Sequence, residues 1–195
     1  MPVKIMLLFV LRTLSDTVPK ASSFTVNSPP ESVPKVKISG YSDKQCDFIQ
    51  QQHKELLKYA KDNNDSKEVA FVFRKGLTDR AEYIGTDDSL DFGTALSGKG
   101  NDLFIMHNHP RNSGFSTSDI EFFVMNDSIM NISVVKNNSS VSVLTKTDNF
   151  DPVIIKKEYN RLYRKVVKNN TDAEKSMFVE KLLAKTKSGV ILNEK

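Results

Sequence analysis

Two of the three histidines in this chain stand two residues apart, in His107-Asn-His109-Pro, and a carboxylate, Asp119, follows across a short polar loop. If the run from Leu103 is a strand, alternate residues share a face, so His107 and His109 project together at its end. Two imidazoles and one carboxylate fill three positions of a tetrahedral zinc and leave the fourth open, the composition of a catalytic rather than a structural site. A water in that position has its pKa lowered to about 7, and a further carboxylate is then needed to take its proton and pass it to the leaving group. The bland alternative is a pair of surface histidines beside a loop, with Asp119 complementing a helix dipole. It accounts for Asp119 but for neither histidine. Cys46 is the only cysteine, so any metal site must use histidine and carboxylate, and no internal disulfide can form.

The elements that would position these groups can be read from spacing. Ile49, His53, Leu56, Leu57 and Ala60 recur at helical intervals after Asp43 and predict an amphipathic helix that ends at the polar run Lys61 to Ser66. His53 lies on its apolar stripe and reads as a satisfied core residue. Glu68 opens Glu-Val-Ala-Phe-Val-Phe, a short β-branched and aromatic run that predicts a buried strand, with a second strand at Ala81 to Gly85. After Leu103 to His107, Ser118 and Glu121 have the spacing of a capping box for a helix carrying Ile120, Phe123 and Val124, with Asp119 in its first turn. Ile132 to Val135 and Val141 to Leu144 predict a hairpin. Two helices are expected to finish the chain, one capped by Asp151 before Pro152 and striped by Ile155, Tyr159, Leu162, Tyr163 and Val166. The other is capped by Thr171 with Glu174 and carries Phe178, Leu182 and Leu183.

The segment His107-Asn-His109-Pro-Arg-Asn-Ser-Gly-Phe-Ser116-Thr-Ser-Asp119 resembles the JAMM motif of MPN (JAB) zinc metalloproteases: His-x-His, a Pro-containing loop, then Ser-x-x-Asp, with a Glu on a strand upstream. The His-Asn-His-Pro wording is closest to the bacterial RadC-like and phage-associated branch. The resemblance implies that His107, His109 and Asp119 ligate Zn2+, that Ser116 helps stabilise the tetrahedral intermediate, and that an upstream glutamate acts on the water. Glu68, 39 positions before His107, is the first candidate for that glutamate and Glu82 the second. The loop before Ser116 is one residue shorter than the common form. The resemblance covers about residues 40–145. It implies an α/β fold: a single MPN/JAB-like (cytidine-deaminase-like) domain with a mixed sheet flanked by helices. The expected organisation is a leader or linker over 1–39, a catalytic core over 40–148 and a helical C-terminal extension over 149–195.

Composition narrows the rest. The chain has 195 residues, 38% of them hydrophobic and 27% charged, which suits one soluble domain and contains no apolar stretch long enough for a membrane span. Lys4 and the run Ile5 to Leu11 have the outline of a weak secretory signal, but the run is short and ends at Arg12, so a leader or a buried strand is the preferred reading and a cytoplasmic location is expected. Residues 13–40 are rich in Ser, Pro, Thr and Val, with at most one edge strand near Val36 to Ile38 and a core that starts near Gly40. Residues 151–195 hold 11 Lys and Arg against 6 Asp and Glu, whereas the rest holds 17 against 18. Two functions from different classes fit. The first is a metallopeptidase or isopeptidase whose partner is a peptide or isopeptide-linked protein. The second is a RadC-like DNA-associated protein using the basic tail, which salt-dependent DNA binding would reveal.

Overall fold

A helix and a sheet meet first. In the computed structural model, which describes residues 28–74, 76–87, 89–92, 96, 102–184 and 189–195, Ser42 caps helix α1 (Asp43–Asn63) through a capping box with Gln45. The stripe foreseen on α1 is buried, His53 included, and the His53 Nε2 lies 2.9 Å from the Ser133 hydroxyl. Burial pushes that imidazole down to about 3, so it is a neutral, hydrogen-bonded core residue.

Six strands follow one another through the chain: β1 (Val69–Arg74), β2 (Thr78–Ile84), β3 (Leu103–His109), β4 (Ile129–Lys136), β5 (Val141–Lys146) and β6 (Val190–Glu194). They form one mixed sheet in the order β2-β1-β3-β4-β5-β6, in which β3 and β4 are parallel and the other neighbours antiparallel. A parallel pair needs a crossover, and helix α2 (Thr117–Met125) supplies it between β3 and β4. The fold is thus α/β, with α2, α3 (Pro152–Val166) and α4 (Asp172–Leu183) completing the four helices among the described residues.

The pleat divides the apolar side chains. Leu103 and Ile105 of β3, with Ala70, Val72, Ile132, Val134 and Leu144, pack under α2, α3 and α4 in one cluster. Phe104 and Met106, with Phe71, Phe73, Val135 and Val143, pack under α1 in the other. By the same alternation His107 and His109 belong to the α2 side. The far end of α2 is held by Lys146, whose Nζ donates to the Asn126 carbonyl at 2.7 Å and lies over the Phe123 and Phe150 rings; burial lowers this amine to about 8.

Three readings of the sequence need correction. The folded core begins before Gly40: Val33, Val36 and Ile38 are buried against α1, so the described part of the supposed leader belongs to the core. Of the at most one edge strand allowed near Val36 to Ile38, none forms among the described residues. The helix after the histidines starts earlier than Ser118: its cap is Ser116, boxed with Asp119 rather than with Glu121. The extension beyond residue 149 is not helical throughout, because β6 returns to pair with β5. The apolar run Ile5 to Leu11 lies outside the described residues. No described helix is long and apolar enough to cross a membrane.

Candidate metal centre

The topology explains why a strand end and a helix start meet. A chain leaving β3 at its carboxyl end must turn before crossing back as α2, so the first turn of α2 arrives beside the last residues of β3, where open α/β sheets place their ligands. His107 and His109 stand on one side and Asp119, at the third position of α2, on the other. All three are buried, at 3%, 6% and 8% exposure, which sets them apart from the solvated histidines of the bland alternative.

Their donor atoms converge. The two Nε2 atoms are 3.0 Å apart; His107 Nε2 is 3.4 Å from Asp119 Oδ1 and His109 Nε2 is 3.4 Å from Asp119 Oδ2. A tetrahedral zinc with bonds of roughly 2.0–2.1 Å separates its ligand atoms by about 3.3 Å, and donor atoms this close together could hold a metal ion.

Secondary contacts aim these ligands. His109 Nδ1 donates to the Gly114 carbonyl at 3.0 Å, since a carbonyl can only accept, and this orients the ring with Nε2 toward the centre. His107 is hydrogen-bonded to the Ser133 main chain. Asp119 Oδ2 accepts from both the Ser116 N–H and the Ser116 hydroxyl at 2.7 Å each. Burial drives the His107 pKa down. At His109 burial acts the same way, but the Asp119 hydrogen bond and charge, helped by the charge of Glu68, outweigh it and raise the pKa. Burial would raise Asp119, yet the two imidazoles together hold it well below the usual carboxylate range, so it is an anion ready to bind a cation.

No protein-family model, no curated protein and no solved structure matches the chain.

Glu68 sits immediately before β1, half-buried, and lines the same cleft of about 1520 Å³ as His107, His109, Asp119 and Ser116. Glu82 is exposed on edge strand β2, opposite Phe71, and pairs at 2.8 Å with Arg80, which also reaches Glu55 of α1. It therefore stands on the α1 side of the sheet, away from the triad. Ser116 is the N-cap of α2: its oxygen accepts from the Asp119 N–H at 3.1 Å while its hydroxyl is donated to the carboxylate.

Sequence reasoning missed Asn108. Its Oδ1 accepts from Val69 N–H at 2.8 Å and its Nδ2 donates to the Lys67 carbonyl at 3.2 Å, so it clamps the main chain on both sides of Glu68. Asn64 adds a bond to the Glu68 carbonyl at 2.9 Å, and Glu68 N–H donates to Thr86. The signal was present as an amide-bearing residue between two ligands, pointing opposite to both, but its partner strand was not known. Ser116→Ala should lose one cap contact and one bond to Asp119, lowering the affinity of this group for a divalent metal ion such as zinc about 10- to 100-fold while the fold persists. Competition titration against a fluorescent chelator measures this, and unchanged affinity would remove Ser116 from the centre.

Proposed function

We propose that the chain is a zinc-dependent hydrolase of the JAMM (MPN) type, a metallopeptidase or isopeptidase. The observation that carries this reading is the convergence of the His107, His109 and Asp119 donor atoms, buried together and spaced like three corners of a zinc tetrahedron. Zinc held there would supply a Lewis acid for a carbonyl oxygen and an acidified water.

The remaining work falls to the chain's own residues. His107 and His109 present their Nε2 atoms to the centre, where a bound metal would take the place of the His109 Nε2 proton, and Asp119 supplies the balancing charge. The Glu68 carboxylate, on a main chain fixed by Asn108 and Asn64, accepts the proton of the attacking water and returns it to the departing amine nitrogen. Ser116 keeps Asp119 oriented; to serve a developing oxyanion as well, its hydroxyl must turn away from Oδ2. Phe92, Phe115 and Phe122 give the same cleft an apolar wall.

The test is amide hydrolysis by the zinc-loaded protein on a mixed panel of peptides and isopeptide-linked protein conjugates. Cleavage should stop with a zinc chelator and return when zinc is restored. Cleavage indifferent to the chelator would overturn the proposal. Salt-sensitive DNA binding without amide hydrolysis would favour the RadC-like reading instead.

A further inference from the structure

The solvent face of α3 carries charge that the metal centre does not use. Apart from Asn160, its exposed residues after Ile154 are Lys157, Arg161, Arg164 and Lys165, and exposed Lys168 follows just beyond its end. From Val153 to Lys165 this face runs about 18 Å, at about 1.5 Å per residue, with no exposed carboxylate on it. The one carboxylate of α3, Glu158, is half-buried and paired with Arg161 at 2.7 Å. Lys157, Arg164, Lys165 and Lys168 form no salt bridge among the described residues.

Beside this face α3 and α4 bound a groove of about 280 Å³. Leu162, Val166 and Ala184 give it apolar surface, and its only charged residues are Arg161, Lys165 and Lys181. Exposed apolar side chains accompany these cations. Val153 at 74% and Ile154 at 58% are the two most exposed large hydrophobic residues among those described, and Met177 of α4 is 45% exposed. Ile154, Arg161 and Lys165 follow one another at intervals of seven and four, and Met177, Lys181 and Ala184 at four and three. Ile154 and Met177 therefore each stand in line with cations of the groove's rim. A lone exposed apolar residue needs no explanation, but apolar side chains aligned with cations on both helices of one groove mark an interaction surface.

We propose that this face of α3 and α4 seats the protein on an anionic phospholipid surface. Lys157, Arg161, Arg164, Lys165 and Lys181 meet the anionic headgroups, while Val153, Ile154 and Met177 enter the boundary between headgroups and acyl chains. Nucleic acid would satisfy the cations with phosphate but leave the three apolar side chains in water, so charge and apolar exposure together favour lipid. The helix need not unfold to bind, because its inward residues Ile155, Tyr159 and Leu162 stay in the core. Tyr159 and Tyr163, which border the metal-centre cleft, lie on the opposite side of α3, so the cleft is not the side presented to lipid. Seating by this face needs no metal at His107, His109 and Asp119.

Co-sedimentation of the full-length protein with vesicles at physiological ionic strength tests the proposal, comparing phosphatidylcholine alone with equal parts phosphatidylcholine and phosphatidylserine. Binding to the mixed vesicles should be at least about tenfold tighter. Lys157→Gln, Arg164→Gln and Lys165→Gln together should weaken it about 30- to 100-fold, since each cation near an anionic surface is worth about fivefold. Val153→Ser with Ile154→Ser should weaken it about tenfold at unchanged charge. Lys44→Gln, Lys58→Gln and Lys61→Gln, exposed on α1 across the sheet, remove the same net charge far from the bilayer and should change it less than about twofold. Equal binding to both vesicles, unchanged affinity in either α3 variant, or an equal loss in the α1 variant would overturn the proposal. So would a labelled DNA duplex bound as tightly as the mixed vesicles and indifferent to Val153→Ser and Ile154→Ser, which would make the face a nucleic-acid surface.

Discussion

Truncation after Asp148 is expected to abolish cooperative folding. It removes Ile155, Tyr159, Leu162, Phe178, Val179 and Leu182 from the cluster beneath α2, and it strips β6 from β5. Burying a large apolar side chain contributes roughly 1.5–3 kcal/mol, so these side chains together are worth on the order of 10 kcal/mol. That is comparable with the roughly 5–15 kcal/mol by which a whole domain is stable. The truncated chain should show no sharp thermal transition by circular dichroism and should bind an apolar dye. A truncated chain that melts at the same temperature as the intact protein would mean that residues 149–195 are an appended arm, as a nucleic-acid-binding tail would be.

Glu68→Gln should retain the metal yet lose amide hydrolysis by about 10²- to 10⁴-fold, because an amide can hydrogen-bond a water but cannot accept its proton. The change preserves size, and the main-chain bonds that fix the residue come from Asn108, Asn64 and Thr86 rather than from its own carboxylate. Glu82→Gln provides the contrast. Its carboxylate lies on the other side of the sheet in an exposed pair with Arg80, so the rate should be nearly unchanged. Single-turnover rates on one peptide substrate separate the two, and loss in Glu82→Gln with none in Glu68→Gln would reverse the assignment.

Much of the site could be read before the fold was known, because its signal is local. The two-residue spacing of His107 and His109 on an apolar run fixes a shared face by the geometry of a strand alone, and α1, α3 and α4 declare themselves by stripes and caps that need no partner. The failures share a different cause. Strand β6 is five residues long, and its place is set by pairing with Val141 to Lys146, far away in sequence. Gly189 enters it at φ 67° with the Phe150 main chain packed where a Cβ would sit, a constraint visible only in three dimensions. The start of α2 is ambiguous in the sequence because Ser118 with Glu121 and Ser116 with Asp119 have the same spacing. The choice is made by Asp119, whose carboxylate reaches back to the Ser116 N–H. Asn108 carries no local signal for a related reason: what it clamps, the chain around Glu68, lies 39 positions away.

The central claim is that His107, His109 and Asp119 hold a catalytic zinc, and metal analysis by mass spectrometry on the purified protein and on a His107→Ala, His109→Ala double variant tests it most directly. The account predicts about one zinc per chain in the parent protein, because the three ligands come from one chain and need no partner subunit. It predicts almost none in the double variant. Full zinc occupancy in that variant, or a parent protein that takes up no zinc when the metal is supplied, would contradict it.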